Sequence, residues 1–194
     1  MPSPVGHSLI GLAVASAWLL PRARGMELAR AAWRERRALV AAVALANLPD
    51  VDYLPGLLVG DLNRYHHLHT HTLGWVALAS LAAWWIWRRC SAVPPRRLLV
   101  LASVLGLSHL GADLFSADGR PPYGIMALWP FSDAYLISPH TLFWRLRKET
   151  VPDMFQWHNV QAVFVEIAWC LPLVLAAAGW KCRTVEKTAP REGA

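Results

Sequence analysis

Between Leu48 and Thr72 the chain reads LPDVDYLPGLLVGDLNRYHHLHTHT, with Asp50 and Asp52 one residue apart and His66, His67, His69 and His71 within six positions. Imidazole and carboxylate are the usual protein ligands of zinc, manganese and iron, and few other uses need so many of them together. A second pair, His109 and Asp113, lies in GLSHLGADLF, where the i, i+4 spacing puts both side chains on one helical face. An aspartate in so apolar a helix is costly unless it is paired, hydrogen-bonded or bound to metal. Alone, this pair reads equally well as a hydrogen bond bracing the core. Beside the Asp-x-Asp and the histidine cluster, metal ligation is the stronger reading.

The other candidates are single residues. Asp50 and Asp52 follow the end of an apolar segment, where an aspartate commonly just closes a turn. Two acids at that spacing can also converge on a metal, or one can ligate while the other orients a histidine. Within the cluster, His67 and His71 share a face only if the next helix starts early, whereas His66 and His71 meet only from an extended or turn conformation. Thr70 is a candidate cap for that helix. His7 opens the first apolar segment, and Glu166 is the only charge in the last, VQAVFVEIAWCL, with Asn159 on the same face. Glu166 could ligate metal, act as general base or hydrogen-bond a ligand histidine. His140 and His158 sit in polar surroundings and are weaker candidates.

Five apolar segments must carry these groups: His7–Leu20, Ala38–Leu48, Leu73–Trp87, Leu98–Phe115 and Val160–Trp180. They are rich in Ala, Leu and Val without strict alternation, which reads as helix. Prolines 21, 49, 94, 95 and 152 fall between them. Crossing a bilayer takes about 20 apolar residues, with roughly 17 as a lower limit, and only the last two segments reach that comfortably. The expectation is an all-α, membrane-embedded bundle of about five apolar helices with a polar metal site at one end. It forms one domain over residues 1–183, followed by a disordered tail, 184–194. Residues Ser116–Pro139 read as a long ordered loop serving as lid or wall.

Composition agrees with a membrane protein. Hydrophobic residues are 55% of the chain and charged residues 16%, against roughly 25% in soluble domains. Eleven tryptophans suit membrane–water interfaces. The net charge of +6 does not point to nucleic acid. Of 19 Lys and Arg, 14 lie in three clusters: Arg22–Arg37, Arg88–Arg97 and Lys181–Arg191. In an alternating five-helix path all three fall on one side, which the positive-inside rule makes cytoplasmic. The candidate ligands then collect at the opposite face, toward a periplasm or exterior. Three scattered cysteines, Cys90, Cys170 and Cys182, imply neither a disulfide framework nor a redox pair. Arg22 and Arg24 follow the first apolar run, the reverse of a secretory signal, so His7 is expected to be retained.

The ordered set Gly6-His7 with Gly11, LPDVD at 48–52, H-x-x-x-T-H-T at 66–72, SHLGAD at 108–113 and WPFS at 129–132 resembles the YdjM-like (LexA-regulated) membrane-bound metal-dependent hydrolases. The resemblance covers most of residues 4–166. It implies His7, Asp50, Asp52, His66, His71, His109 and Asp113 as the functional set. A more distant likeness is to the all-helical zinc phospholipase C and P1-nuclease group, whose sites cluster zinc ions. The chain departs from the family at His67-Leu68, where Arg-Gly is usual, and at Tyr53, where a histidine is frequent. Any grip on phosphate is left to Arg64 or Arg120.

The function expected is a metal-dependent hydrolase of the inner (plasma) membrane. It holds divalent ions, zinc first and two or more in number, and acts on a phosphoester or phospholipid-type substrate. Asp50 and Glu166 are the catalytic candidates and membrane lipid a partner. The rival is a non-catalytic membrane protein that binds or carries metal ions.

Overall fold

The structure, a computed structural model, describes residues 1–61, 64–91, 93–119, 121–148 and 150–186, with side chains through Cys182. Among these residues there are seven α-helices and no strand. Helix α1 spans Pro4–Leu19, α2 Gly25–Arg34, α3 Arg36–Ala46, α4 Tyr53–Leu58, α5 Leu73–Trp87, α6 Pro95–Leu114 and α7 Trp157–Glu186. All five apolar segments are helical.

Local chemistry sets the helix starts. Ser3 caps α1, its hydroxyl accepting the Val5 amide at 3.1 Å, with Pro4 in the first turn, where its missing N–H costs nothing. Thr72, not the expected Thr70, caps α5 by accepting the Trp75 amide at 3.0 Å. Thr70 instead bonds Asp52. Leu48–Asp52 and His69–His71 are single 3₁₀ turns that end in site residues.

Helix α1 is central, packing on α7, α3 and α6, while α5 packs on α6. Small residues allow the close approaches. A Cβ at Gly11 would come within 2.6 Å of the Ala46 Cβ, and one at Gly106 within 2.8 Å of Val76. Ala15, Ala42, Ala46, Leu101 and Leu105 fill the core between α1, α3 and α6.

Two helices are long and apolar enough to cross a membrane, α6 and residues Trp157–Cys182 of α7. A third span exists if α3 and Leu48–Leu58, bent by 58° at their junction, count as one broken span. Helices α1 and α5, of 16 and 15 residues, are shorter. Five full crossings are therefore more than the helix lengths provide. The outer face of α7 is apolar and bare, with Phe164, Trp169, Leu173 and Leu175 all at least half exposed, as a lipid-facing helix requires. Arg22–Arg37, expected as a basic connection, contains the amphipathic α2, whose Met26 and Trp33 are exposed. That is the composition of a helix lying in the interface.

Basic residues gather at one end of the bundle. Lys181 donates to the Leu20 carbonyl at 2.6 Å, and Arg97 lies 5.9 Å from the Trp18 ring. Arg88 and Arg89 stack over Trp84 and Trp85. Helix α7 continues through Glu186, into the stretch expected as a tail; residues 187–194 and Arg120 lie outside the described residues.

The α1–α3 contact has no room for a larger side chain. Gly11→Leu should cost about 1–3 kcal/mol by overpacking and lower the unfolding temperature of the detergent-solubilised protein. An unchanged transition would show that this approach is not needed.

Candidate metal centre

Four separate parts of the chain deliver polar groups to the end of the bundle opposite Lys181, Arg88, Arg89 and Arg97. His7 lies in the first turns of α1. Asp50 and Asp52 occupy the 3₁₀ turn between α3 and α4, where Pro49 breaks the helix. His66 and His71 come from the connection before α5, meeting through a turn, with ring centroids 4.7 Å apart. His109 and Asp113 stand one turn apart on α6.

Their atoms converge closely. His109 Nε2 is 3.1 Å from Asp113 Oδ2 and 3.2 Å from His71 Nε2. His71 Nε2 is 3.5 Å from Asp113 Oδ2 and 3.6 Å from Asp50 Oδ1. His7 Nε2 is 3.3 Å from Asp113 Oδ1, and its ring stacks on His109 at 3.8 Å. Three overlapping sets have ligand atoms close enough to share an ion: His71, His109 and Asp113; His7, Asp50 and His109; and Asp50, His66 and His71. These groups could hold a metal ion.

Burial makes the arrangement costly without one. His7, His71, His109 and Asp113 are at most 3% exposed. Yet both nitrogens of His7, both oxygens of Asp113 and Oδ1 of Asp50 lack a hydrogen-bond partner despite their burial. Buried polar atoms of this kind are normally satisfied, and a cation would take up the carboxylate oxygens and one nitrogen of His7. The histidine tautomers suit the task. His109 Nδ1 donates to the Ala46 carbonyl at 2.8 Å, leaving Nε2 for the centre. His66 Nδ1 bonds Asp52 Oδ1 at 2.8 Å, and His71 Nδ1 lies 3.2 Å from Asp52 Oδ2.

In the connection before α5, burial pushes the pKa of His66 and of His67 down, so both are neutral and able to ligate. Burial also opposes charge on His71, but the carboxylates of Asp50 at 3.6 Å and Asp52 at 3.2 Å outweigh that and raise it to about 10. A metal entering here must displace that proton.

A family model described as "YdjM inner membrane protein" matches residues 1–189. The chain belongs to the YdjM inner membrane protein family. It is therefore an inner membrane protein, in line with its span-length helices. No curated protein and no solved structure matches it, and the more distant phospholipase C and P1-nuclease likeness is not shown.

Within this YdjM member the expected residues take different places. His7, Asp50, His66, His71, His109 and Asp113 all fall in the three ligand sets. Asp52 falls in none of them: its carboxylate faces His66 and His71 and accepts the Thr70 hydroxyl at 2.6 Å. It holds two imidazoles in orientation. Glu166, expected as ligand or base, sits at the start of α1. It accepts the Ser3 amide at 2.7 Å, the Gly6 amide at 3.1 Å and the Ser3 hydroxyl. A carboxylate bonded this way supports the helix N-terminus that carries His7 and offers no base to the centre.

His67 adopts a left-handed φ of 69° and faces Asp118 at 3.6 Å. His69 packs against Trp129, His158 bonds the Arg145 carbonyl, and His140 is exposed. Asn159 braces the preceding loop through Arg147 and Asp153. Sequence reasoning missed the Ala46 carbonyl, which no side-chain pattern could reveal. It also missed Tyr53 and Lys148, which bond one another and approach His66 Nε2 at 2.5 and 3.4 Å.

The loop from Ser116 forms a wall, as expected. Ile125 and Leu136 pair their backbones, and the Ala127 and Trp129 carbonyls accept the first amides of α5.

If Asp52 orients histidines and His109 ligates, their losses differ in degree. Asp52→Asn should weaken metal affinity about 10–100-fold while still allowing full loading at high metal, whereas His109→Ala should not load. Equal behaviour of the two variants in a metal titration would erase the distinction.

Proposed function

We propose that the chain is a metal-dependent hydrolase of the inner membrane, acting on a phosphoester or phospholipid-type substrate with its centre facing the periplasmic side. One observation carries the metal: buried imidazole and carboxylate atoms of His7, Asp50 and Asp113 that make no hydrogen bond, gathered beside His71 and His109. Mixed nitrogen and oxygen donors suit zinc, and three overlapping sets sharing Asp50, His71 and His109 leave room for two ions.

When bound, such an ion lowers the pKa of water to around 7 and neutralises charge developing on the substrate. The residues around it divide the remaining tasks. Asp50, with the most exposed side chain of the three acids at 11%, is placed to accept a proton from water. Asp113 and His109 lie deepest and serve as fixed anchors. Asp52 holds His66 and His71 by their Nδ1 edges, so that His71 Nε2 faces Asp50, Asp113 and His109 while His66 Nε2 meets the Tyr53 hydroxyl.

The sidedness rests on the separation of the basic, tryptophan-rich end from the His/Asp end, read with the positive-inside rule. The ligands' position at one end is also what favours a hydrolase over a carrier, which needs polar groups along the whole path.

Elemental analysis of the purified protein should find zinc or a similar divalent ion. His109→Ala and Asp113→Ala should lose both metal and phosphodiester hydrolysis while keeping the helical circular dichroism signal. Full metal content in both would remove these ligands. Native Cys90 reports sidedness, being exposed between Arg89 and Arg96. In a Cys182→Ser background, a membrane-impermeant maleimide should label it only after the inner membrane is opened. Labelling in cells with just the outer membrane permeabilised would reverse the orientation.

A further inference from the structure

A cavity of about 230 Å³ lies directly against His67 and against His66, a member of the third ligand set. Its lining includes three cations, Arg64, Arg145 and Lys148, and one acid, Asp118. Asp118 is engaged locally: its oxygens accept the Gly119 and Gly124 amides at 2.7 and 2.9 Å, and one faces His67. Cations outnumber acids among the described lining residues. It also communicates with the centre. Lys148 Nζ is 3.4 Å from His66 Nε2, the same ring whose Nδ1 is fixed by Asp52.

Arg145 owes its place to a glycine. A Cβ added at Gly119 would overlap the Arg145 guanidinium, against which the bare backbone lies. Only a residue without a side chain leaves the planar fork room there.

We propose that this cavity receives the phosphate group of the substrate, with Arg64, Arg145 and Lys148 gripping oxygens that do not react. The inference rests on the hydrolase reading and adds its recognition element. Three cations around one small cavity match a tetrahedral group with several charged oxygens better than a two-oxygen carboxylate. Guanidinium forks supply the directional, paired hydrogen bonds that phosphate takes. The volume falls below the roughly 300–1,000 Å³ of drug-sized ligand pockets, so a headgroup or small ester fits and an acyl chain must lie outside. A soluble phosphoester and a phospholipid headgroup present the same chemistry to these residues.

The test uses the full-length, metal-loaded protein in detergent, with inorganic phosphate as the calorimetric probe at fixed ionic strength. Arg64→Gln and Arg145→Gln should each weaken phosphate binding tenfold or more without changing metal content. Gly119→Ala should do the same by displacing the guanidinium, with helical content retained, and Arg145→Lys should recover part of the loss. Wild-type affinity in all three weakened variants, or no phosphate binding by the wild type, would overturn the proposal. Short-chain phosphatidylglycerol and glycerol phosphate, used as competitors, separate the sources; displacement by either upholds the site, and displacement by neither sinks it. Arginine-dependent phosphate binding in a protein that hydrolyses no phosphoester would keep the cavity and discard the hydrolase. Metal-dependent hydrolysis of an uncharged ester, with no phosphate binding, would do the opposite.

Discussion

Carboxylates and imidazoles collected at the end of an apolar bundle are stable only if each finds a partner. Asp113 has a fully buried side chain on α6, within 3.5 Å of His7, His71 and His109. A charge so placed is costly alone, so the helices that carry these histidines must close around it. The close packing of α1 on α3 at Gly11 and Ala46 serves the same end, because the Ala46 carbonyl fixes the tautomer of His109. Packing and site chemistry are one constraint seen from two sides.

The polar residues divide into those that face one another across the centre and those that hold them there. Asp52 and Thr70 orient His66 and His71, and Glu166 steadies the first turn of α1 beneath His7. Helix breaking contributes too. The 58° bend between α3 and Leu48–Leu58 places irregular backbone beside the polar cluster. Non-helical backbone at membrane depth is tolerated where protein buries it or a polar cavity adjoins it. The break that delivers Asp50 and Asp52 is thereby also stabilised by what it delivers.

At the other end, Lys181 on the Leu20 carbonyl and arginines over Trp18, Trp84 and Trp85 form an interfacial belt. Such pairs hold a helix end at the membrane surface while their apolar stems and rings remain in contact with it. With one end anchored by charge and aromatics, the other is free to specialise. The helices of only 15 and 16 residues pack beside longer neighbours, α5 on α6 and α1 between α7, α3 and α6.

Residue types and spacing alone determined the helical class, the pairing of His109 with Asp113 and the ordered loop after Ser116. These follow from local periodicity and from the cost of burying charge, which any stretch of sequence carries with it. Tertiary structure decided the rest. Glu166 looked like a base because it was the lone charge in its helix, but the neighbour it serves is 160 residues away at Gly6. Asp50 and Asp52 look equivalent in sequence and separate only because α6 approaches one and the His66–Thr70 turn claims the other. Arg145 over Gly119 was invisible for the same reason: which charge meets which depends on distances between elements, and no local pattern encodes those.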